Sequence, residues 1–255
     1  MASRANSVSA GLGGSLGSTR ASTIWGRSQK LCPASRYTDL ESGRISLGCN
    51  FACIHCQNWE ISQQFAEGTV CGEREIAALI DEARRRGCRN QNWVGGDPIP
   101  HIPFWLKVLL WETENTPVFF NTNGFYSTEA SSLLRGVVDI YKIDFKYGSD
   151  ICAEKISGVS GYWKVITRNL KAAKKQGELL IRVLVLPRHL ECCLIPIVSF
   201  ISRELGPETR VNLMDQYSPH WRAAELPELK KRLDPDEWEK AVKIALEAGL
   251  RNVIT

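Results

Sequence analysis

The sequence has no apolar run long enough to cross a bilayer. A spanning helix needs about 20 consecutive apolar residues, and the nearly uncharged stretches, such as "LIPIVSFI" at 194–201, are far shorter. Strong charge of one sign is also lacking. A net charge of +4 over 255 residues gives no footprint for nucleic acid or an anionic membrane surface. No secretory hydrophobic segment is present. The nine cysteines fall well below the roughly 8–10 % of a disulfide scaffold. Their odd number and tight clustering suit metal-bound thiolates in a reducing compartment. The expected location is therefore the cytoplasm or an organellar matrix.

Acidic residues are absent from positions 1–38, which hold Arg4, Arg20, Arg27, Lys30, Arg36 and eight serines. This composition predicts a disordered leader. It fits an organellar transit peptide and a flexible tail equally well.

From residue 43 onward, short apolar runs alternate with helical patterns. The runs lie at 44–48, 91–95, 116–121, 137–145, 178–187 and 210–214. Ile76, Leu79, Ile80 and Ala83 mark one helix, stopped by Gly87. Asp234, Pro235 and Glu237 read as N-cap, N1 and a box-like acid at N3. Trp238, Ala241, Val242 and Ala245 follow as an apolar stripe, with Gly249 as C-cap. Repeated strand–helix units imply a parallel sheet with right-handed crossovers, its strands buried on both faces. Periodicity leaves a six-stranded barrel and an open doubly wound sheet both open.

Polar clusters follow every run: "GCNFACIHC", "GGDPIP", "NTNG", "DFKYG", "LPRHLE" and "MDQYSP". Parallel strands point one way, so the clusters gather at the carboxyl ends, where such folds build their sites.

The first cluster holds Cys49, Cys53 and Cys56 and supplies no fourth cysteine. Structural zinc takes four protein ligands. His55, Cys32 or Cys71 would have to complete such a site, and a non-catalytic zinc module stays open. A cubane iron–sulfur cluster normally takes four thiolates. Three would leave one iron open, and an open position marks a reactive metal.

The spacing Cys49-x₃-Cys53-x₂-Cys56 after a first strand resembles the radical S-adenosylmethionine (SAM) superfamily. The resemblance implies a partial (β/α)₆ TIM-like barrel after the disordered leader, with residues 43–255 as its core domain. It also implies one [4Fe–4S] cluster whose open iron is chelated by SAM, and reductive cleavage of SAM to a 5′-deoxyadenosyl radical. Gly95, Gly96 and Asp97 resemble the family's GGEP segment, which holds the SAM ammonium. Asp144 and Lys146 resemble a D-x-K segment on the carboxylate side, and alternation puts both on one strand face. Asn121 and Asn123 resemble a "DTNG" segment with Asn for the leading Asp. The resemblance further implies SAM contacts at Arg182 and Tyr217, which sit where the family places them. His55 replaces a hydrophobic aromatic that stacks on adenine. An imidazole titrates near neutral pH, so stacking there is expected to be pH-sensitive.

"CQNWEIS", "GVVDIYKIDFKYG", "LVLPRHLECC" and "VNLMDQYSP" further resemble the pyruvate formate-lyase-activating-enzyme-like (PflX-type) branch. That likeness implies an unidentified protein substrate, such as a glycyl-radical enzyme, and an electron donor such as flavodoxin or ferredoxin. Action on another protein or a small molecule stays open. Cys192 and Cys193, being adjacent, are expected to diverge; core packing and a role at the site mouth with His189 and Glu191 are both open. Cys88 and Cys152 have no metal-like neighbours in sequence. His101 divides between core and substrate pocket.

Overall fold

The computed structural model of the chain describes residues 47–64 and 70–255. The leader expected over 1–38 lies outside these residues, as does Cys32. Among the described residues, six strands form one parallel sheet in chain order. They are β1 Gln91–Trp93, β2 Val118–Thr122, β3 Ile140–Asp144, β4 Glu178–Leu184, β5 Arg210–Met214 and β6 Val253–Ile254. The order never reverses. A doubly wound sheet reverses at its switch point, so the winding is that of a barrel segment.

Five strands fall on the expected runs. The sixth does not. Leu47 and Gly48, the described end of the run at 44–48, lie outside any strand, and the sixth strand is instead Val253–Ile254, beside β5. Two residues are too few to show a period of two.

The helices are α1 Trp59–Ser62, α2 Glu73–Arg85, α3 Ile102–Leu109, α4 Thr128–Leu134, α5 Asp150–Ser157, α6 Tyr162–Gln176, α7 Ile195–Phe200 and α8 Pro235–Glu247. In α2, Ile76 and Ala83 are buried, and Gly87 follows the end at φ +95°. In α8, the Asp234 side chain accepts the Asp236 N–H. Glu237 closes no capping box; its carboxylate accepts the Arg188 N–H at 2.6 Å.

The strands are not apolar on both faces. In β3 and the loop beyond it, Tyr141, Ile143, Phe145 and Tyr147 are fully buried. Phe145 packs against Trp163 of α6 and Phe200 of α7. Lys142, Asp144 and Lys146 alternate with them and are only partly covered. The curved sheet therefore has an apolar convex face under helices and a polar concave face.

The turn after β2 shows how loops are pinned at the rim. Asn169, fully buried in α6, donates through Nδ2 to the carbonyls of Gly124 and Tyr126, both at 2.8 Å. Gly124 has φ +74°, and a Cβ there would lie 2.6 Å from both Ile143 Cγ2 and Ile166 Cδ1. Gly124→Ala is expected to destabilise the chain by about 2–4 kcal/mol, from overpacking and a left-handed Ala. Urea unfolding midpoints check this.

Candidate active site

The cysteine loop is tied to the end of α5. The last carbonyls of a helix lack partners within it. Here Ser157 O accepts the Ala52 N–H and Ile156 O the Ile54 N–H, both at 3.0 Å. Arg222 N–H binds Ile54 O at 2.9 Å from the other side. Asn50 Nδ2 donates to Phe125 O at 2.8 Å, and Gln63 Nε2 to Phe51 O at 2.7 Å.

Gly96 seals this loop against the turn after β1. A Cβ on Gly96 would collide with the Gly48 carbonyl, and that carbonyl accepts the Asp97 N–H at 3.0 Å. The first need for glycine here is thus the crossing of two chain segments. Asp97 is buried, and its carboxylate is shared among protein donors: Ile99 N–H (3.0 Å) and Thr122 O–H (3.0 Å) on Oδ1, Asn123 N–H (2.7 Å) on Oδ2. It fastens the β1 and β2 turns together. Burial raises its pKa to about 7, against the pull of those donors.

The three thiols open into one cleft of about 310 Å³. Cys49 Sγ lies 3.4 Å from the Phe51 N–H and 3.6 Å from Asn123 Nδ2. Cys53 Sγ accepts from Ser157 Oγ at 2.8 Å, and Ser157 Oγ lies 2.6 Å from the Tyr147 hydroxyl. Ser157 has one proton, so when it donates to Cys53 the Tyr147 O–H donates to it. Cys56 Sγ lies 3.7 Å from Ser62 Oγ. Burial, with the Asp97 charge adding to it, pushes Cys49 up to about 12. Burial raises Cys53 as well, against the pull of Lys146. Thiolates here need a strong positive partner, as metal binding supplies.

Opposite the thiols stand the polar residues of β3 and β4. Asp144 and Arg182 are register partners and form a two-pronged pair, at 2.6 Å (Nε–Oδ1) and 2.8 Å (Nη2–Oδ2). Lys146 Nζ adds a contact at 3.3 Å. Despite the burial that opposes ionisation, the Lys146 and Arg182 charges hold Asp144 well below the usual carboxylate range. Burial, then the nearby Arg182 charge, lowers Lys142 to about 8. Lys146 and Arg182 thus face the Asp144 carboxylate in the cleft, and this wall carries surplus positive charge.

The thirteen residues expected to hold the cluster or SAM all line this cleft: Cys49, Cys53, His55, Cys56, Gly95, Gly96, Asp97, Asn121, Asn123, Asp144, Lys146, Arg182 and Tyr217. Some are engaged otherwise than expected. The Tyr217 hydroxyl is spent on Leu229 O at 2.6 Å, which leaves its ring for the cleft, edge-on to His55 at 5.8 Å. His55 is buried, and that burial, with the Lys146 charge, lowers its pKa to about 3. A ring lowered this far is neutral near pH 7, against the pH-sensitive stacking that residue type alone suggests. His101 does not line the cleft; its Nε2 meets Leu47 O at 2.7 Å. Sequence reasoning missed Ser157, Tyr147 and Lys142. The K-x-D-x-K alternation at 142–146 signals Lys142; nothing local signals Ser157.

The model of the family described as the radical SAM superfamily matches residues 44–201. The chain belongs to that superfamily. A protein of Methanocaldococcus jannaschii, "Uncharacterized protein MJ0674", is 42 % identical over 209 residues, which are 80 % of this chain and 61 % of that protein. The chain thus spans about three-fifths of this relative's length. Among solved structures, Streptococcus suis SuiB bound to precursor peptide SuiA is similar with a TM-score of 0.56 at 14 % identity, over 82 % of this chain and 46 % of SuiB. A domain of a pyruvate-formate lyase-activating enzyme from Bacteroides vulgatus gives 0.50 at 13 %, over 64 % of this chain and 98 % of the domain. These identities carry the fold alone.

Radical SAM proteins use a [4Fe–4S] cluster and SAM, and the residues present fit both. Cys49, Cys53 and Cys56 are not gathered around one point. Among the described residues, the group whose ligand atoms all lie within 4.8 Å of one another surrounds Cys152 instead. A cubane places a different iron under each thiolate and needs that wider spread. The cation-rich wall fits a carboxylate. Among the described residues, no helix is long and apolar enough to cross a membrane.

Two outcomes are expected. Gly96→Ala displaces the cysteine loop, so iron and sulfide retained after anaerobic reconstitution fall severalfold while far-ultraviolet circular dichroism is unchanged. His55 stabilises the chain above pH 6.5 and loses this as pH falls toward 3. The cluster-free chain therefore loses about 2 kcal/mol between pH 6.5 and 4.5 through this residue. Urea midpoints at both pH values should show this slope shrinking in His55→Phe.

Proposed function

We propose that the protein is a radical SAM enzyme in which Cys49, Cys53 and Cys56 hold the cluster, with residues 43–255 as the catalytic unit. One observation carries the reading: three thiols and a cation-rich wall face each other across one cleft. The cluster, with SAM bound, supplies reductive cleavage of SAM to a 5′-deoxyadenosyl radical.

The chain's residues bind and orient. Lys146 and Arg182 receive the SAM carboxylate, and Asp144 holds both cations in place. Gly95, Gly96 and Asp97 shape the turn that meets the ammonium. That ammonium stabilises the Asp97 carboxylate against the burial that opposes its ionisation. His55 and Tyr217 give neutral ring surface for the adenine. Asn121 lines the same wall, and Asn123 donates toward the Cys49 sulfur. The Ser157 hydroxyl donates to Cys53, and such hydrogen bonds raise cluster potentials.

The substrate is a protein or peptide in this reading, with hydrogen abstracted from a glycine of a partner enzyme as the narrower form. The motif likeness to the PflX-type branch supports it, as does SuiB, a similar fold solved with a peptide bound. A small flavin or iron–sulfur protein serves as electron donor.

The deciding experiment reconstitutes the chain anaerobically with iron and sulfide, then adds SAM and dithionite. 5′-Deoxyadenosine is expected, with loss of at least about a hundredfold in Cys53→Ala. A folded chain that binds zinc at the triplet and never cleaves SAM would sink the proposal. A backbone glycyl radical seen by electron paramagnetic resonance with a candidate partner supports the narrower form, and its absence with all partners tested counts against that form.

A further inference from the structure

A second group of metal-ligating side chains lies outside the cleft. Cys152, in the first turn of α5, meets His189, Cys192 and Cys193 from the segment after β4. Its thiol was expected to lack metal-like neighbours, and the adjacent pair to diverge. The structure overturns both: the pair does not diverge, although Cys193 is buried in the core, and Cys152 meets His189 and Cys192. The chain between 190 and 194 runs as a π-helical turn, with Cys193 and Leu194 both donating to the His189 carbonyl at 3.1 Å. This wider turn brings the neighbouring sulfurs to 3.9 Å. Such turns recur at functional sites.

We propose that Cys152, His189, Cys192 and Cys193 form a second metal centre that binds zinc. The distances carry it. A tetrahedral zinc, with Zn–S near 2.3 Å and Zn–N near 2.0–2.1 Å, sets edges of about 3.8 Å between sulfurs and about 3.5 Å from sulfur to nitrogen. Cys192 Sγ lies 3.7 Å from Cys152 Sγ and 3.9 Å from Cys193 Sγ. His189 Nδ1 lies 3.2 Å from Cys192 and 3.6 Å from both Cys152 and Cys193. One nitrogen and three sulfurs therefore already stand near the corners of a zinc tetrahedron.

Competing readings fit less well. A disulfide needs its sulfurs at about 2.05 Å, and plain core packing gives no reason to aim an imidazole nitrogen at three thiols. A cubane needs its thiolates farther apart. Three soft sulfurs and one imidazole select zinc among common divalent ions. Four protein ligands leave no open position, so the centre is structural. Cys152, Cys193 and His189 are buried while Cys192 is exposed, which gives the ion a way in. The scaffold is close-packed here: a Cβ on Gly148 would collide with the Cys193 carbonyl. The ion would lock the segment after β4 to α5, whose other end holds the cysteine loop.

The test separates this centre from the cleft. A full-length variant with Cys49→Ser, Cys53→Ser and Cys56→Ser is stripped with a chelator, then titrated with zinc against a chromogenic competitor. One zinc per chain is expected, and cobalt(II) in its place should give the intense visible bands of a tetrahedral thiolate site. Adding Cys192→Ser, an exposed and fold-neutral change, should weaken zinc binding at least about tenfold. Absence of stoichiometric zinc, a weak octahedral cobalt spectrum, or zinc binding indifferent to Cys192→Ser would overturn the proposal. Should the triple variant fail to fold, the unmodified chain serves, with its cysteine triplet first filled by anaerobic reconstitution of the cluster. Cys192→Ser should then remove the tetrahedral cobalt signal without lowering reconstituted cluster iron, and a persisting signal would overturn the proposal.

Discussion

The C-terminal turn of α5 is the constraint on which the site rests. Its unpaired carbonyls at Ile156 and Ser157 take the backbone of the cysteine loop, and its last side chain donates to Cys53. The loop anchors Phe51 edge-on to Phe125 and Tyr162, but its backbone has no regular structure of its own. It borrows rigidity from a helix end that needs partners. The crossing of Gly96 under Gly48 closes the other side. The thiols are thus positioned by backbone hydrogen bonds from two neighbours, together with the burial of Phe51 in the core.

Electrostatics completes the arrangement. The cleft lies at the carboxyl ends of a parallel sheet, and alternate side chains there, Asp144 and Lys146 from β3 and the loop beyond it and Arg182 and Leu184 from β4, line it. The pair Asp144–Arg182 bridges adjacent strands in register, and Lys146 joins from the loop beyond. One carboxylate neutralises part of this charge and orients the rest. A buried charge left alone would be costly; here both cations share the one carboxylate, and the surplus faces the cleft where a ligand anion fits.

Much of this was legible in the sequence, because the relevant signals are local. Strand alternation placed Asp144 and Lys146 on one face, and the polar clusters after successive runs placed the residues expected to hold cluster and SAM around one cleft. What escaped depends on tertiary contact. Ser157 ends an ordinary helix, and only the fold brings it to a sulfur 104 positions away in the chain. Cys152 and Cys192 are 40 positions apart and meet because α5 and the turn after β4 are neighbours. His55 looked titratable by residue type, yet its burial beside Lys146 decides its charge. Val253–Ile254 is too short for any periodic pattern. Residues 1–46 and 65–69 lie outside the described structure, so the leader stays an expectation from composition.

The brevity of α5 has a mechanical consequence. At about 1.5 Å of rise per residue, its eight residues make a rod of about 12 Å, too short to bend appreciably. A shift of the first turn, where Cys152 sits, would reach the last turn almost undiminished. The helix then behaves as a stiff lever between two sulfur-bearing regions of the molecule, one at the surface and one in the cleft. Whatever sets the position of the outer end also sets how squarely Ser157 meets Cys53 at the inner one.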